Sequence, residues 1–232
     1  MVEVNHGIFT GPPVINIVAA PNNNHSEPNM KLFFSPGACS LAPHIVLRET
    51  KSAFTLEKVN TGTHLLADGS DYYSINPKGQ VPVLELDGGG RLTEGPIIVQ
   101  YVADKAGRTD LMPAAGTMER YRVMEWQNYV TSELHKGYTP LFNKALDAEA
   151  KKLLSGVLLK KYAWLDAQLA GKSYLTGDTF TGADAYLFTV TNWSAYVGLD
   201  VSGFANLQAF MQRVAARPAV QEAMAAEGLG AK

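Results

Sequence analysis

A single cysteine, Cys39, stands in 232 residues. An intrachain disulfide is excluded, and so is a cysteine-rich metal centre. One thiol suits a reducing compartment, so the expectation is a cytoplasmic protein that binds no metal. A strong charge of either sign is also missing: 20 basic residues stand against 22 acidic ones, for a net charge of -2. That balance offers no footing for a nucleic-acid or anionic-membrane partner. No apolar run approaches the ~18 residues needed to cross a bilayer. Residues 1–29 contain no lysine or arginine, which excludes an arginine-rich transit peptide. Their apolar stretch at 14–20 has neither the positive start nor the length of a secretory signal. Asparagine and proline are abundant there instead (Asn22, Asn23, Asn24, Pro12, Pro13, Pro21, Pro28). The segment reads as a flexible extension, or as a start placed too early with the true one at Met30.

What is present is an ordinary apolar content of 46%, enough for a buried core, and a sharp change of pattern at Met30. Residues 31–35 form a short apolar run ended by Pro36-Gly37, a strand and a turn. A helix is expected over 40–49, a second strand over 54–59 and a third over 81–86. Gly88-Gly89-Gly90 makes a hairpin into 91–93. A further helix starts near Gly95-Pro96, where proline is tolerated in the first turn, with Ile97, Ile98, Tyr101 and Val102 as its buried stripe. Residues 107–116 read as a linker. Helical spacing then dominates: 117–136, 148–169, 183–197, 207–216 and 220–226. The 183–197 helix is apolar nearly all round, the mark of a buried central helix, and Thr181 to Asp184 matches a capping box before it. The fold class is therefore α+β. Four segments are expected: an extension at 1–29, a sheet-containing domain at 30–106, a linker at 107–116, and an all-helical domain at 117–232.

Four places can carry chemistry. Cys39 lies where the first strand hands over to the first helix. Unpaired N–H groups at a helix start stabilise a thiolate, so its pKa is expected to fall; the alternative is a buried structural thiol. Val81-Pro82 opens a strand in a way that suggests a cis bond, which would free the Val81 backbone to pair with a peptide-like ligand; an ordinary edge-strand proline is the other reading. Glu94-Gly95 precedes a helix start, which suits a carboxylate, while Glu94 suits an amino group. Together they fit an α-amino-acid end. On the long helix after the linker, Tyr121, Met124, Asn128, Ser132, His135 and Lys136 share a face at helical spacing. There His135 is placed to donate to a thiolate or to carry a proton.

Taken together, KLFFSPGACSLAPHIVLRE (31–49), NPKGQVPVLELDGG (76–89), LTEGPIIVQYVAD (92–104), SELHKGYTPLF (132–142) and FTGADAYLFTV (180–190) closely resemble the bacterial beta-class glutathione transferases, in order and with matching spacing. The resemblance implies a thioredoxin-like N-terminal domain, an all-helical C-terminal domain and a homodimer. It implies glutathione as co-substrate and a hydrophobic electrophile as second substrate. By resemblance Cys39 contacts the glutathione sulfur and can form a mixed disulfide with it. His135 lies beside that sulfur, Val81 pairs with the cysteinyl part, and Glu94 and Gly95 form the γ-glutamyl site. Asn128, Ser132 and Lys136 complete the pocket, with Tyr138, Phe142 and the face around Tyr121 as apolar surface for the electrophile. Two positions depart from the pattern. His64 stands where the family often has a lysine contacting the glycyl carboxylate, and Gly95 stands where many relatives have serine. The expected activity is conjugation of glutathione to electrophiles. The alternatives are thiol–disulfide exchange through Cys39 and non-catalytic binding of hydrophobic ligands or glutathione.

Overall fold

The computed structural model describes residues 30–230; the extension expected at 1–29 lies outside them. The chain begins with β1 (Met30–Phe34) and α1 (Leu41–Glu49), then β2 (Phe54–Asn60), a short β3 (Leu65–Leu66), a 3-10 turn (Tyr72–Ser74), β4 (Val83–Glu85), β5 (Arg91–Thr93) and α2 (Gly95–Lys105). The five strands form one sheet in the order β3-β2-β1-β4-β5. β1 runs parallel to β2 and antiparallel to β4. Because side chains alternate along a strand, Leu32 and Phe34 of β1 enter the main core against α1 and α2, while Phe33 joins Val59, Tyr72, Val81 and Val83 on the other face.

Helices follow: α3 (Met118–Tyr129), a π-helical stretch (Val130–His135), α4 (Lys136–Tyr138), a 3-10 turn (Thr139–Phe142), α5 (Ala148–Leu169), α6 (Gly182–Thr191), α7 (Trp193–Val197), α8 (Ala205–Ala215) and α9 (Pro218–Ala226). The architecture is thus a thioredoxin-like mixed sheet followed by a helical array. Every residue of α6 is buried, as its all-round apolar sequence predicts. Its capping box is formed: the Asp184 carboxylate accepts from the Thr181 N–H (2.7 Å), the Thr181 hydroxyl (2.8 Å) and the Leu175 N–H (2.8 Å).

Several expectations need correction. The long helix expected over 117–136 is interrupted by the π-helical turn, and that over 183–197 breaks at Asn192, whose side chain caps the Phe188 carbonyl at 2.9 Å. The third strand begins at Val83, two residues after the 81–86 expectation. In α2 the buried stripe is Ile98, Val99 and Val102, and Ile97 faces outward. Strand β3 and the turn after it were not legible, being only two and three residues long.

The two parts share one core. Leu32, Leu41, Ile98 and Val102 from the sheet side belong to the same buried cluster as Val123, Val130, Leu134 and Leu187. At Gly37, in the turn after β1, both backbone groups are gripped by the helical part. Its N–H donates to Glu227 (2.9 Å) and its carbonyl accepts from the Trp193 indole N–H (2.8 Å). Glu227 is fully buried with His44 of α1, whose Nδ1 lies 2.8 Å from the other carboxylate oxygen.

Candidate functional site

A cavity of about 380 Å³ opens between the sheet domain and the helices. One wall is the turn holding Cys39, the second the loop carrying His64, the third the backbone from Lys78 to Pro82, and the fourth Glu94 and Gly95 at the start of α2. The π-helical stretch and its continuation close it with Thr131, His135, Lys136 and Thr139, and Tyr186 of α6 stands behind them.

Cys39 is half-buried, and its thiol donates to the Val81 carbonyl at 3.2 Å. Burial pushes the thiol up to about 12; the nearby Glu94 charge adds to the rise, and the Cys39 and Ser40 N–H groups and Lys136 only partly oppose it. This corrects the expectation of a lowered pKa. Helix α1 starts two residues later, at Leu41, and loss of solvent outweighs the two N–H groups that do reach the sulfur.

The Val81–Pro82 bond is cis. Gln80 is held by Tyr72 and Asn76, both donating to its carbonyl at 2.9 and 2.6 Å, so the Val81 backbone has a fixed orientation. Glu94 adopts φ +67°, a conformation that a residue with a side chain takes only at a cost of about 1–3 kcal/mol and that clusters at ligand sites. Its carboxylate pairs with Lys78, which also donates to Thr93. At Gly95 an added Cβ would meet the Cys39 carbonyl and Pro82 at 3.9 Å, ordinary contact, so the helix start lies open to the cavity without steric need for glycine.

His135 Nδ1 lies 2.6 Å from the Tyr186 hydroxyl, and its ring stands edge-on to Trp193 at 4.8 Å between centroids. Burial lowers the imidazole to about 4, with the adjacent Lys136 lowering it further and Glu94 acting the other way. Burial also holds the Tyr186 hydroxyl well above the ordinary phenol range. A neutral imidazole thus faces a protonated phenol, and in the tautomer in which Tyr186 donates to Nδ1 the ring proton is on Nε2.

A family model for the glutathione S-transferase N-terminal domain matches residues 28–104, and one for the C-terminal domain matches residues 129–218. Glutathione S-transferase GstA of Escherichia coli O157:H7 is 48% identical over 200 residues, which cover 86% of this chain and all of the relative. The chain belongs to the glutathione S-transferase family. Among solved structures, a bacterial beta-class glutathione S-transferase of Sphingomonas chungbukensis is similar at 46% identity and a TM-score of 0.83, covering 86% of this chain and all of that one. A sphingomonad glutathione S-transferase complexed with glutathione is similar at 44% identity and a TM-score of 0.82, with the same coverage. Together these relatives place the chain in the bacterial beta class, and with that membership comes the enzymatic class of a glutathione transferase.

Of the positions singled out in this glutathione transferase's sequence, Cys39, His64, Val81, Glu94, Gly95, His135 and Lys136 all line the one cavity. Asn128 and Ser132 do not. Both are exposed, and the Ser132 hydroxyl donates to the Asn128 carbonyl at 3.1 Å. The widened π turn shifts the helical phase between residues 128 and 135, so Thr131 reaches the cavity in place of Ser132. Tyr138 also departs from expectation: it is fully buried and donates to Tyr162 at 3.0 Å, so it offers no surface to an electrophile. Tyr121 is exposed on α3 outside the cavity, and Phe142 is exposed beside Trp193, 5.7 Å between centroids. Tyr186 was overlooked. It lies within the quoted FTGADAYLFTV segment, but nothing in an all-round apolar helix marks one tyrosine as reaching a histidine 51 residues earlier.

Proposed function

We propose that the protein conjugates glutathione to hydrophobic electrophiles, with the glutathione sulfur as nucleophile and His135 as the group that holds it ionised. The observation that carries this reading is a neutral His135 on the cavity wall, hydrogen-bonded through Nδ1 to Tyr186; with Tyr186 as the donor, Nε2–H is the group offered to the sulfur. Glutathione lies extended, its cysteinyl backbone paired with Val81 in the manner of an added strand. Its γ-glutamyl carboxylate sits at the N-terminus of α2 near Gly95 and its amino group near Glu94. Lys136 adds positive charge beside the sulfur. The thiol proton leaves to solvent, the thiolate accepts a hydrogen bond from His135 Nε2, and its lone pair attacks the electrophile, forming a C–S bond as the leaving group departs. The bound similarity is to a sphingomonad transferase complexed with glutathione.

Cys39 acts in this scheme as a neutral thiol against the glutathione sulfur, since burial opposes the thiolate that disulfide exchange needs. Conjugation is therefore preferred to exchange. The domain limits carried with this proposal are 30–106 and 117–232. A homodimer is also proposed, through the exposed apolar row Met118, Tyr121 and Met124 on α3, with Ile97 of α2 exposed as well. On that interface Asn128 and Ser132 would be offered to the other copy. Sedimentation at micromolar concentration tests the dimer. Steady-state turnover of glutathione with 1-chloro-2,4-dinitrobenzene tests the activity; a rate no higher than the uncatalysed background would sink the proposal.

A further inference from the structure

We propose that Tyr186 is a positioning residue for the transfer reaction. Its hydroxyl fixes which nitrogen of His135 carries the ring proton, and so whether the imidazole can donate to a glutathione thiolate. The inference rests on the reading above, in which the glutathione sulfur lies against His135.

The phenol is the fixed partner of the pair. Tyr186 sits in α6, where every residue is buried and the first turn is pinned by the Asp184 carboxylate. His135 ends the π-helical stretch. Its Nδ1 lies 2.6 Å from the Tyr186 hydroxyl, and the two rings cross at 75°. Trp193 also packs edge-on against the imidazole, at 78°. Turning the ring over would put a C–H where Nδ1 stands and lose the bond to the phenol.

Two protons have to be assigned, one on the phenol and one on the ring. An N–H donor sits about 2.7–3.2 Å from its acceptor and an O–H donor about 2.5–3.0 Å. The separation of 2.6 Å therefore fits the hydroxyl as donor. Thr131 is another polar neighbour of the phenol. Its own proton goes to the Gln127 carbonyl at 2.8 Å, and it forms no bond to the phenol as short as the one to Nδ1. The phenol proton thus goes to Nδ1 and the ring proton to Nε2. Without the hydroxyl, nothing holds this assignment. Nδ1 would be a nitrogen with no donor beside it, and moving the ring proton onto it would break no hydrogen bond. The lone pair then left on Nε2 would face the thiolate and repel it. Burial keeps the imidazole near 4 and the phenol well above its ordinary range, so neither changes charge near neutrality. The other titratable or charged groups lining the cavity are Cys39, His64, Lys78, Glu94 and Lys136. Replacing Tyr186 by phenylalanine alters none of them.

The test follows kcat against pH with glutathione and 1-chloro-2,4-dinitrobenzene, which reports ionisation in the bound complex. Tyr186→Phe keeps the ring and removes only the hydroxyl. The expected result is a bound thiol whose pKa is about one unit above that of the wild type, hence a kcat about tenfold lower on the acid limb. The two profiles should converge once the thiol is fully ionised. A merely structural lesion would lower the whole profile without moving it. In His135→Gln the side-chain amide donates with no tautomer to choose, so adding Tyr186→Phe should move the profile no further. A second measurement needs no variant: nitrogen NMR of the labelled wild-type enzyme at about pH 7 should show His135 neutral, with Nδ1 bare and Nε2 protonated. A proton on Nδ1, or an unmoved profile in Tyr186→Phe with turnover intact, overturns this inference alone. Absence of both turnover and glutathione binding in the wild type overturns the reading of the site and this inference with it.

Discussion

At the scale of single residues, burial holds two of the site's side chains, Cys39 and His135, in their neutral forms. Cys39 is the clearest case. Its place after Ser35-Pro36-Gly37 was legible, because a strand ending in Pro-Gly must turn. Its pKa was not, because the burial that raises it comes from the surrounding cavity walls, which include Pro82, Thr131, His135, Lys136 and Thr139. With the thiol near 12, the free enzyme should react with iodoacetamide at pH 7.5 at least about a hundredfold more slowly than a small thiol of pKa ~8.5; alkylation followed by mass spectrometry measures this. His135 makes a second prediction. Its folded value, near 4, lies below the ~6.5 of an unfolded imidazole, so the unfolded chain takes up the proton first. Stability from this group is full above about pH 6.5 and is lost as pH falls toward 4, by roughly 2–3 kcal/mol. Urea unfolding at pH 7 and 4.5 should therefore show a smaller acid loss for His135→Asn than for the wild type.

At the scale of elements, the turn that matters is the one that periodicity misread. The 3.6-residue spacing placed Asn128, Ser132 and His135 on one face, yet only His135 lines the cavity. The stretch Val130–His135 contains no glycine or proline to announce a distortion. What it has is hydroxyls that take carbonyls four residues back: Thr131 on Gln127 at 2.8 Å and Ser132 on Asn128 at 3.1 Å. Such back-bonding competes with the helical ladder, and π turns gather at functional sites. The wide turn re-aims everything that follows. Deleting Ser132, whose side chain is exposed, should restore regular α-helix and rotate His135 about 100° relative to α3. Turnover should fall by more than about a hundredfold while far-UV circular dichroism changes little. Helix α6 shows the opposite case, an element read correctly. Its capping residues and unbroken apolar run are local signals, and the carboxylate of Asp184 meets three donors as the motif implies.

At the scale of the whole molecule, the order of elements and the split between sheet and helices were legible because Met30, the hairpin glycines and Pro113 punctuate the chain. How the two parts lock was not, since Gly37 and Glu227 are 190 residues apart and no pattern in the sequence joins them. Removing the carboxylate in Glu227→Ala leaves a partly buried N–H and a buried imidazole without their partner. The expected cost is about 3 kcal/mol, read as a lower midpoint in denaturant. Because the same carboxylate orients the turn before Cys39, turnover at a temperature where the variant stays folded should also drop, which a residue that only filled space would not cause.

The Gly37 contact also sets an order of events during synthesis. Translation runs at about 5–20 residues per second, so roughly 10 to 40 s separate the emergence of the turn from that of the carboxylate that fixes it. Over that interval the sheet domain can form its strands, but the peptide leading to Cys39 lacks its anchor. The thiol passes that time without the surroundings that later keep it protonated, so the nascent chain, rather than the finished enzyme, is the form most open to oxidation.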